Sequence, residues 1–103
     1  MSALRVWKFL RRLGFGGEER QIDATSQLVR LGRDEYKYLE GERSLVLQID
    51  MLIGEPRRVI YSSTIKRWLP PHDNEEVTVE DKHRIAAKIA EFFVRRGISA
   101  LIK

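Results

Sequence analysis

The side chains able to do chemistry gather between positions 62 and 83. Ser62, Ser63, His72 and Asp73 offer a hydroxyl, an imidazole and a carboxylate, the parts of a nucleophilic centre. Glu75 and Glu76 form a carboxylate pair that could work as acid and base if a pocket drove their pKa values apart. His72 and His83, with Asp73, Glu75, Glu76 and Asp81 nearby, could be imagined as metal ligands. The spacing speaks against each reading. Neither serine sits in the strained G-x-S-x-G elbow that presents a nucleophile, so both are better suited to ending a strand and capping a short turn. No histidine pair has the tight helical spacing of a zinc site, and cysteine is absent. Adjacent glutamates in a loop are ordinarily just solvated. GFGG at 14–17 lacks both the preceding strand and the following lysine of a phosphate loop. With no catalytic constellation, no metal set and no cofactor fingerprint, the chain reads as a non-catalytic binding protein that uses no cofactor.

Its binding candidates are two. The first is the stretch TIKRWLPPHDNEE at 64–76, in which a tryptophan and a double proline precede an acidic run. From Leu69 through Asp81 there are five carboxylates and no lysine or arginine. Trp68, Pro70, Pro71, Asp73, Glu75 and Glu76 are therefore candidate partner-binding residues, a stiff acidic loop that would meet a basic surface. The ring of Trp68 can serve this by tucking under a sheet edge or by gripping the partner itself. The second candidate is the segment SALRVWKFLRRL at 2–13, a basic amphipathic helix whose Arg5, Trp7, Lys8, Arg11 and Arg12 could touch a membrane or another anionic surface. Four basic groups and one short apolar face would bind a bilayer only weakly, and the same pattern fits an ordinary docked helix. Tyr36 and Tyr38, spaced to share a strand face, resemble a base-stacking platform, but acidic neighbours favour packing or protein contact.

Charge supports this division. The chain has 103 residues and a formal charge of +4, from 19 basic and 15 acidic side chains. Arg5, Lys8, Arg11 and Arg12 account for the whole excess, so the body from Glu18 onward is balanced. A nucleic-acid module would place a basic face on the folded domain, because phosphate contacts dominate that affinity, so nucleic acid is a poor fit. The absence of cysteine points to a reducing, cytoplasmic setting. The most apolar internal run, LVLQIDMLI, falls far short of the roughly 20 residues of a membrane span.

The elements that must position these residues follow from periodicity. Residues 1–17 form the basic arm, which ends in the glycines of GFGG, 18–24 a charged linker, and 25–103 a single α+β domain. From Thr25 the period is two, with strands expected around 27–31, at YKYLE, at 45–53 and at RVIYS, linked by short turns. Leu45, Leu47, Ile49, Met51 and Ile53 should point into the core together. After the acidic loop, Thr78 should cap a long helix ended by Gly97, with Glu80 and Asp81 in its first turn and Arg95 and Arg96 in its last. Ile85, Ala86, Ile89, Ala90, Phe92 and Phe93 form its apolar stripe, and His83 falls on the edge of that side. ISALIK closes the chain as a short final strand, either joining the sheet or left as an edge. The expected fold is thus an antiparallel β-meander of about four strands, packed by one long C-terminal helix, with a separate N-terminal amphipathic helix.

The stretch IYSSTIKRWLPPHDNEEVTVEDKHRIAAKI also resembles the small immunity proteins of bacterial polymorphic toxin systems, in particular the family numbered seventy-four. The resemblance rests on a strand followed by S-S-x-I-x-x-W-x-x-P, an acidic loop and a long helix, matched by Ser62, Ser63, Ile65, Trp68 and Pro71. It extends over residues 25–103 and omits the basic arm. It implies a protein that binds a cognate toxin and blocks its active site or substrate access, without catalysis or cofactor. The alternative is a small protein attached to membranes or nucleic acid through its N-terminal arm.

Overall fold

A computed structural model describes residues 19–103. Six strands run in the order β1 (Glu19–Gln21), β2 (Ser26–Arg30), β3 (Glu35–Glu40), β4 (Arg43–Met51), β5 (Arg58–Tyr61) and β6 (Ala100–Ile102). Among the described residues there is one α-helix, α1 (Val79–Arg95), between β5 and β6 in sequence. All six strands form one sheet in which spatial order equals chain order.

This corrects the expected four-stranded antiparallel meander. The sheet is mixed and curled: β1 through β5 pair antiparallel, and β6 pairs parallel to β5 after the excursion through α1. β1 arises inside the segment read as a linker, with Arg20 opposite Leu28 and Gln21 opposite Gln27. The expected N-terminal helix, with Arg5, Trp7, Lys8, Arg11 and Arg12, lies outside the described residues.

Local chemistry explains the joints. Glu40 and Arg43 pair across a two-residue turn whose first position, Gly41, has φ +61°, as a II′ hairpin requires. Along β4 the alternation is clean, with Leu45, Leu47 and Ile49 at 0–2% exposure, because one face packs on α1. The alternation stops there. Met51 is 45% exposed and Ile53 is fully exposed, since β5 supports β4 only as far as the Met51–Arg58 pair before the chain turns away. The core of Leu28, Tyr36, Tyr38, Ile60, Ile65, Trp68 and the β4 residues closes against Ile85, Ala86, Ile89, Phe92 and Phe93 of α1. His83 is exposed, placing it on the solvent side of α1 rather than at the core edge.

Both ends of α1 are fixed by specific hydrogen bonds. Thr78 and Asp81 form a reciprocal capping box. At the other end the N–H of Ile98 donates to the carbonyl of Phe93 and that of Gly97 to Val94, a Schellman motif with Gly97 at φ +77°. Ile98 then packs against the core, which aims the chain back toward β6.

Candidate functional site

The acidic loop is held from beneath. Ile65, Trp68 and Val77 bracket it at 0%, 2% and 4% exposure, so both of its stems are anchored in the core. The backbone N–H of Leu69 donates to the carbonyl of Ser44 on β4 at 2.7 Å, and Arg67 bridges Glu76 across the loop's base. Inside the loop the N–H of His72 donates to Leu69 and that of Glu75 to His72, both at 3.0 Å, giving two successive tight turns. A short 3-10 turn, Ser62–Thr64, leads into it, and the Thr64 hydroxyl accepts the N–H of Gln48 at 2.9 Å.

What the loop presents follows from this anchoring. Pro70, Pro71, Asp73 and Glu76 are exposed, while Trp68 is not. Glu75 is drawn into an ion pair with Arg43 at 2.5 Å, and the same guanidinium lies 5.7 Å from the Trp68 ring centre. Arg43 therefore ties one loop carboxylate to the buried indole that carries the loop. Among the described residues Asp73, Glu76 and Glu80 make no ion pair. Their charge faces solvent, and no cation of the loop itself offsets it.

Beside the loop is a shallow depression of about 390 Å³, bordered by Thr25, Glu40, Gly41, Arg43, His72 and Glu75. His72 Nδ1 is buried on its flank and makes no hydrogen bond among the described residues. Below this depression runs a polar network that sequence spacing did not reveal. The Tyr38 hydroxyl, itself fully buried, contacts Ser26 Oγ at 3.3 Å and donates to Glu40 Oε2 at 3.1 Å. Lys88 Nζ reaches Ser26 Oγ at 3.0 Å, Asp23 at 3.0 Å and Glu40 at 3.4 Å. Arg84 grips Glu40 through two guanidinium nitrogens and Asp81 through one. Those Arg84 hydrogen bonds hold the Glu40 carboxyl below the usual range, against burial, which works the other way. The Thr25 backbone N–H and Lys88 likewise lower Asp23. Burial raises the Tyr38 hydroxyl.

The remaining chemical candidates separate in space or take structural parts. Ser62 Oγ donates to the carbonyl of Lys103 at 2.7 Å, fastening the last strand, and Ser63 is exposed. Tyr36 and Tyr38 share a face, and it is the core face. Among the described residues no group of three or more His, Asp or Glu side chains could hold a metal ion, and no helix is long and apolar enough to cross a membrane.

Comparison with known proteins gives a family match. The family model described as Immunity protein 74 covers residues 28–102, from β2 to the end of β6 and including the loop. No curated protein and no solved structure matches the chain.

Proposed function

Because the chain belongs to the Immunity protein 74 family, we propose that it is a non-catalytic binding protein that neutralises a cognate protein toxin by seating the loop of residues 70–76 against it. The observation that carries this reading is the family match over residues 28–102. The loop is favoured as the contact because Asp73 and Glu76 are exposed while its stems are buried in the core. An ordered loop avoids much of the roughly 0.5–1.5 kcal/mol that each immobilised side chain costs on binding. Pro70, Pro71, Asp73, Glu75 and Glu76 form the contact surface, and Trp68 acts from beneath by fixing their position. Arg43 holds Glu75 ready, and a basic partner could take over that carboxylate.

The test is affinity capture from host lysate with three forms: the intact chain, a form lacking residues 1–17, and Asp73→Asn/Glu75→Gln/Glu76→Gln. One stoichiometric toxin, retained without the arm, lost with the triple substitution and inactivated on rebinding, is the expected result. The association rate of the purified pair should also fall steeply with salt, since steering is screened over about 8–10 Å at ordinary ionic strength. A salt-independent rate removes the loop from the contact. Recovery of only lipid or nucleic acid, dependent on residues 1–17, transfers the function to the arm.

A further inference from the structure

At the opposite end of β4 from the acidic loop lies a pocket with the opposite character. It encloses about 270 Å³ between the concave sheet face and the C-terminal end of α1. Arg20, Arg30, Arg58 and Arg96 reach it, over walls that include Tyr36, Phe92 and Phe93. No acidic side chain is among the described residues that line it. Asp34 and Asp50 border the adjoining surface beyond Arg30, yet neither pairs with it.

The guanidinium groups are positioned, not loose. Arg58 lies 5.4 Å from the centre of the Phe93 ring and Arg96 lies 4.7 Å from that of Phe92, and the two rings meet edge to face. Arg30 is steered by hydrogen bonds to the carbonyls of Gly32 at 2.8 Å and Arg33 at 3.2 Å. Arg30, Arg58 and Arg96 form no ion pair among the described residues, and Arg58 Nε is buried without a hydrogen-bond partner. A buried charged donor without an acceptor is costly, and planar guanidinium groups match an oxyanion in two-point contact. The pocket is thus built for an anion.

Its size and rim narrow the choice. About 270 Å³ lies just below the range of sites for drug-sized ligands, so it fits a carboxylate with its short aliphatic stem better than a nucleotide. Met51 lines the pocket and also begins the exposed apolar tip Met51–Leu52–Ile53, exposed by 45%, 42% and 105%. A free inorganic anion gives such a tip nothing to cover, whereas a protein segment does. We propose that this pocket is a docking site for an acidic segment of a partner protein. An aspartate or glutamate carboxylate enters between Arg58 and Arg96 while a neighbouring apolar side chain packs on Met51–Ile53. The site is independent of the acidic loop, since Arg43 and Met51 stand about 26 Å apart along β4 at the usual strand rise.

The experiment is NMR of the full chain at physiological salt, reading arginine Nε–H signals and the amides of residues 51–53. The probes are a hexapeptide with two central glutamates flanked by leucines, the same peptide with glutamines, and inorganic phosphate. The glutamate peptide should shift Arg58, Arg96 and residues 51–53 saturably. Binding should weaken at least tenfold for the glutamine peptide and for Arg96→Gln, with the melting temperature of that variant unchanged. Asp73→Asn/Glu75→Gln/Glu76→Gln should bind the peptide normally, which separates this site from the loop. Four results overturn the proposal. Phosphate binding as tightly without moving residues 51–53 makes it a small-anion site, and equal binding of the glutamine peptide removes the role of charge. Shifts that depend on protein concentration and vanish in the loop variant make the occupant a second copy of this chain. No shift at millimolar peptide means there is no such site.

Discussion

Glu40 and Arg43 flank the same two-residue hairpin turn, one on each side, yet they do different work. Arg43 joins Glu75 to the Trp68 ring and so acts on the loop, whereas Glu40 anchors α1 through Arg84 and Lys88. Trp68 is the larger lever. At 2% exposure its truncation leaves a large void, so Trp68→Ala should destabilise by about 3–5 kcal/mol in urea unfolding. A loss near zero, with partner binding lost, would instead identify the ring as a surface anchor. For Glu40, the folded state releases its proton more readily than the unfolded chain does. Its contribution is therefore complete above the ordinary carboxylate range near pH 4 and declines as pH falls through the lowered folded value. Glu40→Gln should cost about 2 kcal/mol at neutral pH and flatten the acid limb of stability against pH below about 5. An unchanged acid limb would show that Arg84 and Lys88 find other partners. None of this network was legible from spacing, because its members are drawn together from Asp23 to Lys88 by sheet register and helix packing. Local periodicity reports only which face a residue occupies.

Elements were legible where their chemistry is local. Thr78, Asp81 and Gly97 mark the ends of α1 in the sequence, and the structure puts a capping box and a Schellman motif at those positions. Gly97 owes its place to backbone conformation, because a Cβ there would touch nothing within 4 Å. Gly97→Ala should consequently lower stability by about 1 kcal/mol without disturbing packing, measurable as a small shift in the urea midpoint at constant m-value. Tyr36 and Tyr38, like Leu45, Leu47 and Ile49, were assigned to one face correctly because a period of two fixes faces. The same rule failed for Met51 and Ile53. Hydrophobic alternation runs on through LVLQIDMLI, but burial requires something opposite, and β5 ends its support at Arg58. β1 has no signature in the sequence, because Glu19–Gln21 carries no apolar alternation and is a strand only through pairing with β2.

For the whole molecule, neutrality in the body conceals a division into two ends. The acidic loop stands near the β3–β4 turn, and the arginine pocket stands near the β4–β5 turn and the end of α1. Net charge could not reveal this, because it sums over distance. Nor could the direction of β6 be read, since an alternating pattern is the same whichever way the strand runs. That direction has a kinetic meaning. Each of the first five strands meets its neighbour through a short connection, so the meander can zip from one hairpin to the next at little loop-closure cost. β6 reaches β5 only across the span from Tyr61 to Ala100, a closure of about 3 kcal/mol on the same scaling. Assembly should accordingly be two-tempered, with a rate-limiting step that organises the meander and a seam at β5–β6 that seals afterwards. Ile102→Ala, costing roughly 1 kcal/mol, should then speed unfolding and leave the refolding rate almost unchanged. Equal effects on both rates would place the seam in the nucleus, and the hydrogen bonds that Lys103 makes to Ile60 and Ser62 would become an early latch instead of a final one.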